Sequence, residues 1–205
     1  MVEKAHVVTW LHEFFGVDPG TSYVAVPGLL CGPANYGQSV RLADGTLELW
    51  PVIGADVWDA DGHPVYNLGH IGTVVHEFTH AFANPVIEAH WVALEPAFER
   101  LFPSVKDVMA RQAYGAPKIV AYESLVRACV VRHAARELGP EAAQRQIAEE
   151  ESRGFTWTGE LAALLERYEA ERATYPTLRD FGPKLVDFFD GVAKKNAPAE
   201  KATPR

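Results

Sequence analysis

The chain has 205 residues, 48% of them hydrophobic and 22% charged, a composition typical of a globular protein that buries a sizeable core. Its formal net charge of −8, with no cluster of Lys and Arg, argues against nucleic acid or an anionic membrane as a partner, because both require basic surfaces. Residues 1–16 contain no secretory hydrophobic run, and no stretch approaches the roughly 18 apolar residues of a membrane span. We expect a soluble protein, either cytoplasmic or exported with a signal peptide that this chain does not contain; the sequence predicts no oligomeric state.

The N-terminal quarter combines one helix with short strands. Apolar residues recur at helical spacing over residues 5–16 and predict an amphipathic helix that ends near Gly16. The chain then changes to short runs rich in Val, Leu, Tyr and Trp that are separated by Gly and Pro, which favours β-structure. The last two strands should form a hairpin, because Asp44-Gly45 between them favours a tight turn. Strands are expected near residues 22–27, 35–42 and 46–53.

A polar, turn-rich segment follows over residues 56–66. Asp56, Asp59 and Asp61 are spaced somewhat like the acidic residues of a calcium loop. The match is poor, because the spacing differs and the downstream Glu of such a loop is missing. A solvated loop is the preferred interpretation.

The pattern HExxH, from His76 to His80, lies in the next helical segment, whose remaining faces are apolar. An α-helix turns about 100° per residue, so side chains four residues apart project from one face on successive turns. Both histidines can therefore bind one metal ion, while Glu77 lies where it can take a proton from a water. The pattern is typical of zinc hydrolases. The alternative is a chance match, with two core histidines that hydrogen-bond backbone carbonyls.

The remaining chain is predicted to be almost entirely helical. The HExxH helix should stop at Asn84, because Pro85 follows and the residue before a proline disfavours the helical conformation. We predict a single α+β domain over residues 1–193 and a disordered tail over residues 194–205, where Pro, Ala and Lys dominate. Further helices are expected over residues 86–101, from 103 onward, from 118 to at least 131, and near 140–152, 157–173 and 183–193.

A catalytic zinc ion normally has three protein ligands, so the two histidines need a partner. Glu123 is the best candidate, because it is the principal acid of an apolar helix, and a buried carboxylate must bind a cation or be paired. The competing interpretation is a simple ion pair with Arg127, four residues further along the same helix. His90 lies beyond Pro85 and is interpreted as a surface residue or as a support for a ligand.

Two segments of the chain resemble a known group of enzymes. VVHEFTHAFANP at residues 74–85 and YESLVRA at residues 122–128 are similar to the gluzincin metallopeptidases and, more narrowly, to the bacterial family called domain of unknown function 4932. The resemblance covers about residues 23–136. It implies a zincin-like fold, in which a small mixed or antiparallel sheet packs on the HExxH helix.

The resemblance also implies roles for individual residues. Zn²⁺ would be held by His76, His80 and Glu123, and Glu77 would be the general base that takes a proton from the attacking water. Arg127 departs from the pattern, because thermolysin-like enzymes carry at this position an Asp that orients a histidine ligand. The partner that orients the first histidine is therefore unassigned.

Peptide hydrolysis further requires a hydrogen-bond donor for the tetrahedral oxyanion. Tyr114 is the candidate, because it precedes Glu123 by nine residues, an offset like that of the tyrosine in thermolysin-like enzymes. A buried tyrosine with a purely structural role is the alternative. Since zincins bind peptides along a sheet edge, residues 35–38 are expected to hold the substrate, unless they form an ordinary packed strand. Three residues compete with the tyrosine as donor: Tyr122, Arg127 and His133.

We therefore expect a zinc metallopeptidase that acts on a peptide or protein substrate. Two alternatives belong to other functional classes: a catalytically inactive zincin-like domain that binds metal or a protein partner, and a helical interaction domain in which HExxH is accidental. Cys31 and Cys129 are expected to be two buried free thiols, because a single pair does not form a disulfide framework in a chain of this size.

Overall fold

Strands and helices are segregated along the chain. The computed structural model describes residues 6–17 and 21–196, with the side chains of Thr21 and Leu68 left out. This arrangement confirms the predicted α+β class, with a small mixed sheet followed by a mostly helical C-terminal half. In chain order the elements are α1 (Val7–Phe15), β1 (Thr21–Tyr23), β2 (Val26–Gly28), β3 (Tyr36–Arg41), β4 (Leu47–Gly54), α2 (Ile71–Ala110), α3 (Pro117–Leu138), α4 (Pro140–Ser152), α5 (Thr158–Ala170) and α6 (Gly182–Asn196).

The sheet is centred on β4. β1 and β2 both lie parallel to β4 in one constant register, with Thr21 opposite Leu47 and Val26 opposite Val52. The first predicted strand therefore exists, but it is interrupted at residues 24–25. Apolar side chains of β4 that point to the helices, such as Leu49 and Ile53, are buried in the core.

β3 and β4 form the predicted antiparallel hairpin. The Leu42 N–H donates to the Thr46 carbonyl at 2.8 Å, and Gly45 in the turn has a φ of 91°, which glycine adopts without steric cost. Among the described strands, β3 pairs with β4 alone, and all six of its residues are exposed. Its outer edge is thus the accessible edge of the sheet.

α2 is much longer than predicted. The expectation that it stops at Asn84 is wrong, because the helix continues through Pro85, Pro96 and Pro103 to Ala110. Each proline removes one backbone N–H donor and costs the helix about 3 kcal/mol. Burial offsets that cost, since each buried aliphatic or aromatic side chain contributes about 1.5–3 kcal/mol. Several side chains after the first proline are buried: Val86, Ile87, Leu94, Phe98 and Leu101.

The C-terminal helices pack around α2 and α3. α3 contacts α2, α4 and α5, so it is covered on several sides, and α6 packs on α2. The larger hydrophobic cluster joins side chains from α1, β4, α2, α3, α5 and α6. The three predicted helices after residue 139 are confirmed, although α6 extends to Asn196, so residues 194–196 are helical and not part of a tail. The rest of the predicted tail, residues 197–205, lies outside the described residues.

Two further expectations concern the whole chain. Cys31 is partly buried and Cys129 is buried, and both are unpaired thiols, as predicted. Within the described residues, no helix combines the length and the apolar character needed to cross a membrane.

Candidate metal centre

The two histidines of the HExxH pattern project from one face of α2. The opposite face carries Val75 and Phe78, whose burial fixes the rotation of the helix. The Nε2 atoms of His76 and His80 are 3.2 Å apart. His80 Nδ1 lies 3.2 Å from Oδ1 of Asn84, which is an acceptor, so Nδ1 carries the proton. The lone pair of His80 Nε2 is therefore available on the side that faces His76.

α3 places Glu123 opposite the two histidines. Its Oε2 is 3.5 Å from His76 Nε2 and its Oε1 is 3.4 Å from His80 Nε2, and the side chain is 8% exposed. The structure thus brings together the three residues that the sequence suggested as metal ligands. The competing ion pair is also present, since Arg127 Nη2 donates to Glu123 Oε2 at 3.0 Å. The two interpretations are compatible, because a carboxylate offers about four lone-pair positions.

The spacing between the histidine nitrogens and the carboxylate oxygens fits a zinc ion. Zinc lies about 2.0–2.2 Å from imidazole nitrogen and carboxylate oxygen, so two ligand atoms at the corners of a tetrahedron are roughly 3.3–3.5 Å apart. The two Nε2 atoms are 3.2 Å apart, His80 Nε2 is 3.4 Å from Oε1 of Glu123, and His76 Nε2 is 3.5 Å from Oε2 of the same carboxylate. Two imidazoles and one carboxylate form a donor set of catalytic zinc sites, which leave the fourth corner for water or substrate.

The charges of these groups suit a cation. Burial and the neighbouring His76 lower the pKa of His80, so its imidazole is neutral near pH 7, as metal binding requires. Burial alone would raise the pKa of Glu123. A hydrogen bond from His76 and the charges of His76, Arg127 and His80 outweigh burial and lower the pKa of Glu123 to about 2. Glu123 is therefore a carboxylate throughout the neutral range.

Glu77 lies beside this triangle, on the wall of a cavity of about 570 Å³ that His76 also lines. Burial raises the pKa of Glu77, and the charge of His76 opposes that effect. β3 passes directly over Glu77. A Cβ added at Gly37 would lie 2.7 Å from the Glu77 carbonyl oxygen and 3.1 Å from its Oε2, so this close approach requires glycine.

Tyr114, in the connection between α2 and α3, lines the same cavity. Its hydroxyl oxygen accepts a hydrogen bond from Arg127 Nη2 at 2.9 Å. Burial, followed by the charge of Glu123, raises the pKa of Tyr114 to about 12. The hydroxyl is therefore protonated at any physiological pH and can act as a neutral hydrogen-bond donor.

Of the three competing candidates for the oxyanion donor, Arg127 lines the same cavity and the other two lie elsewhere. The Tyr122 hydroxyl donates to Glu88 on the outer side of α2 and α3. The His133 ring meets the Trp10 ring edge-on, with their centroids 5.1 Å apart. Neither residue is among the described residues that line the cavity.

Two residues that support the ligands or their neighbours were not predicted from the sequence. Asn84 follows His80 by four residues, so helical spacing already placed it on the same face. Glu150 in α4 accepts a hydrogen bond from Arg127 Nη1 and is 3% exposed. The sequence offered only a weak indication that Glu150 is buried: the apolar Ala143 precedes it by seven residues, or two helical turns, on the same face of α4.

A second group of possible ligands lies in the loop after β4. Asp59, Asp61 and His63 also approach one another, but all three are exposed. Asp59 Oδ1 already accepts the backbone N–H groups of Asp61 at 3.0 Å and of His63 at 2.8 Å. The carboxylate therefore serves to close a turn, in a loop that is open to solvent.

Comparison with known proteins gives one match. The family model described as Domain of unknown function (DUF4932) matches residues 1–188. The matched region includes every element from α1 to α5 and both helices of the centre. No curated protein and no solved structure matches the chain.

Proposed function

Because this chain belongs to the DUF4932 family, whose description states no activity, we propose its function from the geometry of the centre: zinc-dependent hydrolysis of peptide bonds. The observation that carries the proposal is the triangle of His76, His80 and Glu123 beside Glu77, with His76 and Glu77 on the wall of an open cavity. In this proposal the protein is a gluzincin-type metallopeptidase with a zincin-like fold. The HExxH helix, the downstream Glu on a separate helix and the sheet edge above them support that assignment.

The three ligand residues would hold the zinc ion. His80 supplies a neutral imidazole whose proton is fixed on Nδ1 by Asn84, and Glu123 supplies an ionised carboxylate. When bound, zinc would polarise the scissile carbonyl and lower the pKa of the attacking water. The protein keeps the ligand atoms at the required spacing through the packing of α2 on α3.

Glu77 would move the proton. Its carboxylate would accept the proton of the attacking water and later give it to the leaving amine. The raised pKa of Glu77 supports this role, since a general base works best when its pKa is near the working pH. The close cover of β3 at Gly37 keeps bulk water away from one side of this carboxylate.

Tyr114 would stabilise the oxyanion. Arg127 occupies one lone pair of the hydroxyl oxygen and so fixes its orientation. The O–H proton faces Glu123, to which it hydrogen-bonds beside the proposed metal position, and the pKa of about 12 keeps it on the hydroxyl. A preorganised donor of this kind contributes to catalysis because it needs little rearrangement when charge develops on the substrate oxygen.

The exposed edge of β3 favours a peptide as the substrate. An extended peptide can add as a further strand to a free sheet edge and hydrogen-bond its backbone. Gly37 lies directly over Glu77, so a peptide along β3 would pass the general base. Residues 35–38 would therefore form the substrate-binding edge of the sheet.

An inactive zincin-like domain, which binds metal or a protein partner, is the second candidate. One observation favours it: Arg127 donates a hydrogen bond to Glu123 at 3.0 Å, so this buried carboxylate has a partner in the protein without a metal ion. This candidate predicts no cleavage of any peptide.

The decisive experiment compares metal content and cleavage in three proteins. Wild type, Glu77→Gln and the control Glu99→Gln, which changes an exposed residue of the same helix, are purified with zinc and their metal content is measured. Each protein is then incubated with a peptide library, and products are identified by mass spectrometry. We expect one zinc per chain in all three proteins, and cleavage by wild type and the control. In Glu77→Gln, cleavage should fall about 10²–10⁴-fold.

Three results would contradict the proposal. If wild type binds no zinc, the HExxH pattern is a chance match and not a metal site. Iron in place of zinc would point to oxidative chemistry, which two histidines and one carboxylate also serve. Zinc without cleavage in wild type would favour the inactive domain.

A further inference from the structure

Arg127 is a buried cation beside the proposed metal ligands. Its side chain is 4% exposed, and it lies one helical turn after Glu123 on α3. Two of its nitrogen atoms are used: Nη2 donates to Glu123 at 3.0 Å and to Tyr114 at 2.9 Å, and Nη1 donates to Glu150. An unpaired buried guanidinium would cost several kcal/mol, so these contacts are required for the burial itself.

The position of Arg127 is set mainly from outside the ligand triangle. Glu150, 3% exposed, reaches it from α4, and Gln146 Nε2 donates to the other oxygen of Glu150 at 2.7 Å. The guanidinium carbon lies 4.5 Å from the centroid of the Phe155 ring. The guanidinium is therefore held by a carboxylate and an aromatic ring of the C-terminal half, and it presents a fixed donor to Glu123.

We propose that Arg127 is a positioning residue for the third metal ligand, and that Glu150 in α4 holds Arg127 in place. The proposal rests on the zinc site described above. A side-chain carboxylate can rotate about its terminal bond, and the hydrogen bond to Oε2 fixes that rotation, so both oxygens stay directed at the histidine Nε2 atoms. Since Glu150 balances the positive charge of Arg127, the pair orients Glu123 while it adds little net charge beside the metal ion. Groups that orient a ligand in this way typically contribute about 10–100-fold to metal affinity.

The test removes both members of the pair together. In Arg127→Met/Glu150→Gln the two charge losses cancel, and neither substituted position holds a buried unpaired ion. Glu123 loses the donor under test and keeps its two histidine neighbours. The matched control is Arg132→Met/Glu169→Gln. It removes a second Arg–Glu pair that also involves α3 and is partly buried, with an Nε to Oε2 distance of 2.7 Å. This pair connects α3 to α5 and does not touch the ligands.

Three quantities are measured for each protein: the zinc Kd by competition with a chelator, the absorption spectrum of bound Co²⁺, and the free energy of unfolding without metal. We expect the zinc Kd of Arg127→Met/Glu150→Gln to rise about 10–100-fold and its Co²⁺ spectrum to shift, while both stay at wild-type values in the control. A purely structural role predicts that both double variants change the free energy of unfolding alone.

Two outcomes overturn the inference in distinguishable ways. A zinc Kd and a Co²⁺ spectrum equal to those of wild type in Arg127→Met/Glu150→Gln would refute the positioning role and leave the metal site intact. No zinc binding by wild type would refute the site and the positioning role together. If the double variant does not fold, Arg127→Lys serves instead. The single ammonium group of a lysine cannot reach both carboxylates as the forked guanidinium does, so we expect zinc affinity to fall on the order of 10-fold. An unchanged zinc Kd would again refute the positioning role.

Discussion

Two groups of three possible metal ligands lie within residues 6–17 and 21–196, and they are built in opposite ways. The centre formed by α2 and α3 is partly or fully buried, and its ligands come from two packed helices. The loop group, which contains Asp59, comes from one exposed turn: the side chains of Asp59 and His63 are 43% and 75% exposed. Both groups place their ligand atoms within 4.8 Å of one another.

The difference lies in what holds each ligand. At the centre, Asn84 fixes the proton on His80, and Arg127 fixes the carboxylate of Glu123. In the loop, the oxygen of Asp59 is already used by backbone N–H groups, and solvent competes for the rest. Proximity is therefore a weak criterion for a metal site. Partners that orient the ligands, in surroundings with little water, distinguish the buried centre from the loop.

Removal of one ligand from each group should give the largest contrast. We expect His80→Ala to raise the zinc Kd by more than about 100-fold, because removal of a direct ligand should exceed the effect of removing a supporting residue. Asp59→Ala should leave the Kd unchanged. Both values are measured by isothermal titration of the metal-free protein. A loss of affinity in Asp59→Ala with none in His80→Ala would place zinc in the loop and not at the centre.

The support of His80 by Asn84 should have a smaller effect. Asn84→Ala removes the acceptor 3.2 Å from Nδ1, so the imidazole is free to change tautomer and to rotate. We expect a rise of about 10-fold in the zinc Kd, measured by chelator competition. Asn67→Ala, in the loop before α2, is the matched control, since its amide oxygen accepts the nearby Gly69 N–H at 2.8 Å. A Kd unaffected by Asn84→Ala would show that packing alone orients the ring.

Glu77 should have the smallest effect, on the stability of the metal-free protein. Burial raises the pKa of Glu77 above its ordinary value of 4.5, so the folded state binds this proton more tightly than the unfolded state does. As pH rises through the raised pKa, the folded protein must bury the charged carboxylate and loses free energy of unfolding. Glu77→Gln should therefore be more stable than wild type at neutral pH, by about 0.5–1 kcal/mol, with no difference at pH 4.

Urea unfolding of metal-free wild type and Glu77→Gln at pH 4 and pH 7 measures this effect. Asp59→Asn is the control in the exposed loop, where a surface substitution should change the free energy of unfolding by less than about 0.5 kcal/mol. A Glu77→Gln variant that is less stable at neutral pH would mean that the carboxylate makes a favourable contact in the folded protein.

Local features of the fold were predictable, because they depend on neighbours in the sequence. The hairpin of β3 and β4 follows from Asp44-Gly45, and α4 begins where Gly139-Pro140 predicted a boundary. Pro85 was misjudged for the same reason. The local rule gives the cost of a proline inside a helix, while the burial of Val86, Ile87 and later residues, which offsets that cost, depends on α3 and α6.

Helical spacing places His76 and His80 on one face of α2 before any tertiary contact is known, since helical geometry is local. The apolar neighbours of Glu123 likewise indicated an acid that needs a buried partner. Tertiary structure decided how these residues meet. Three contacts join elements that are far apart in the chain: Glu123 lies near the histidines, Gly37 lies over Glu77, and Glu150 accepts a hydrogen bond from Arg127. Such contacts follow from how helices and strands pack, and no local spacing in the sequence encodes that packing.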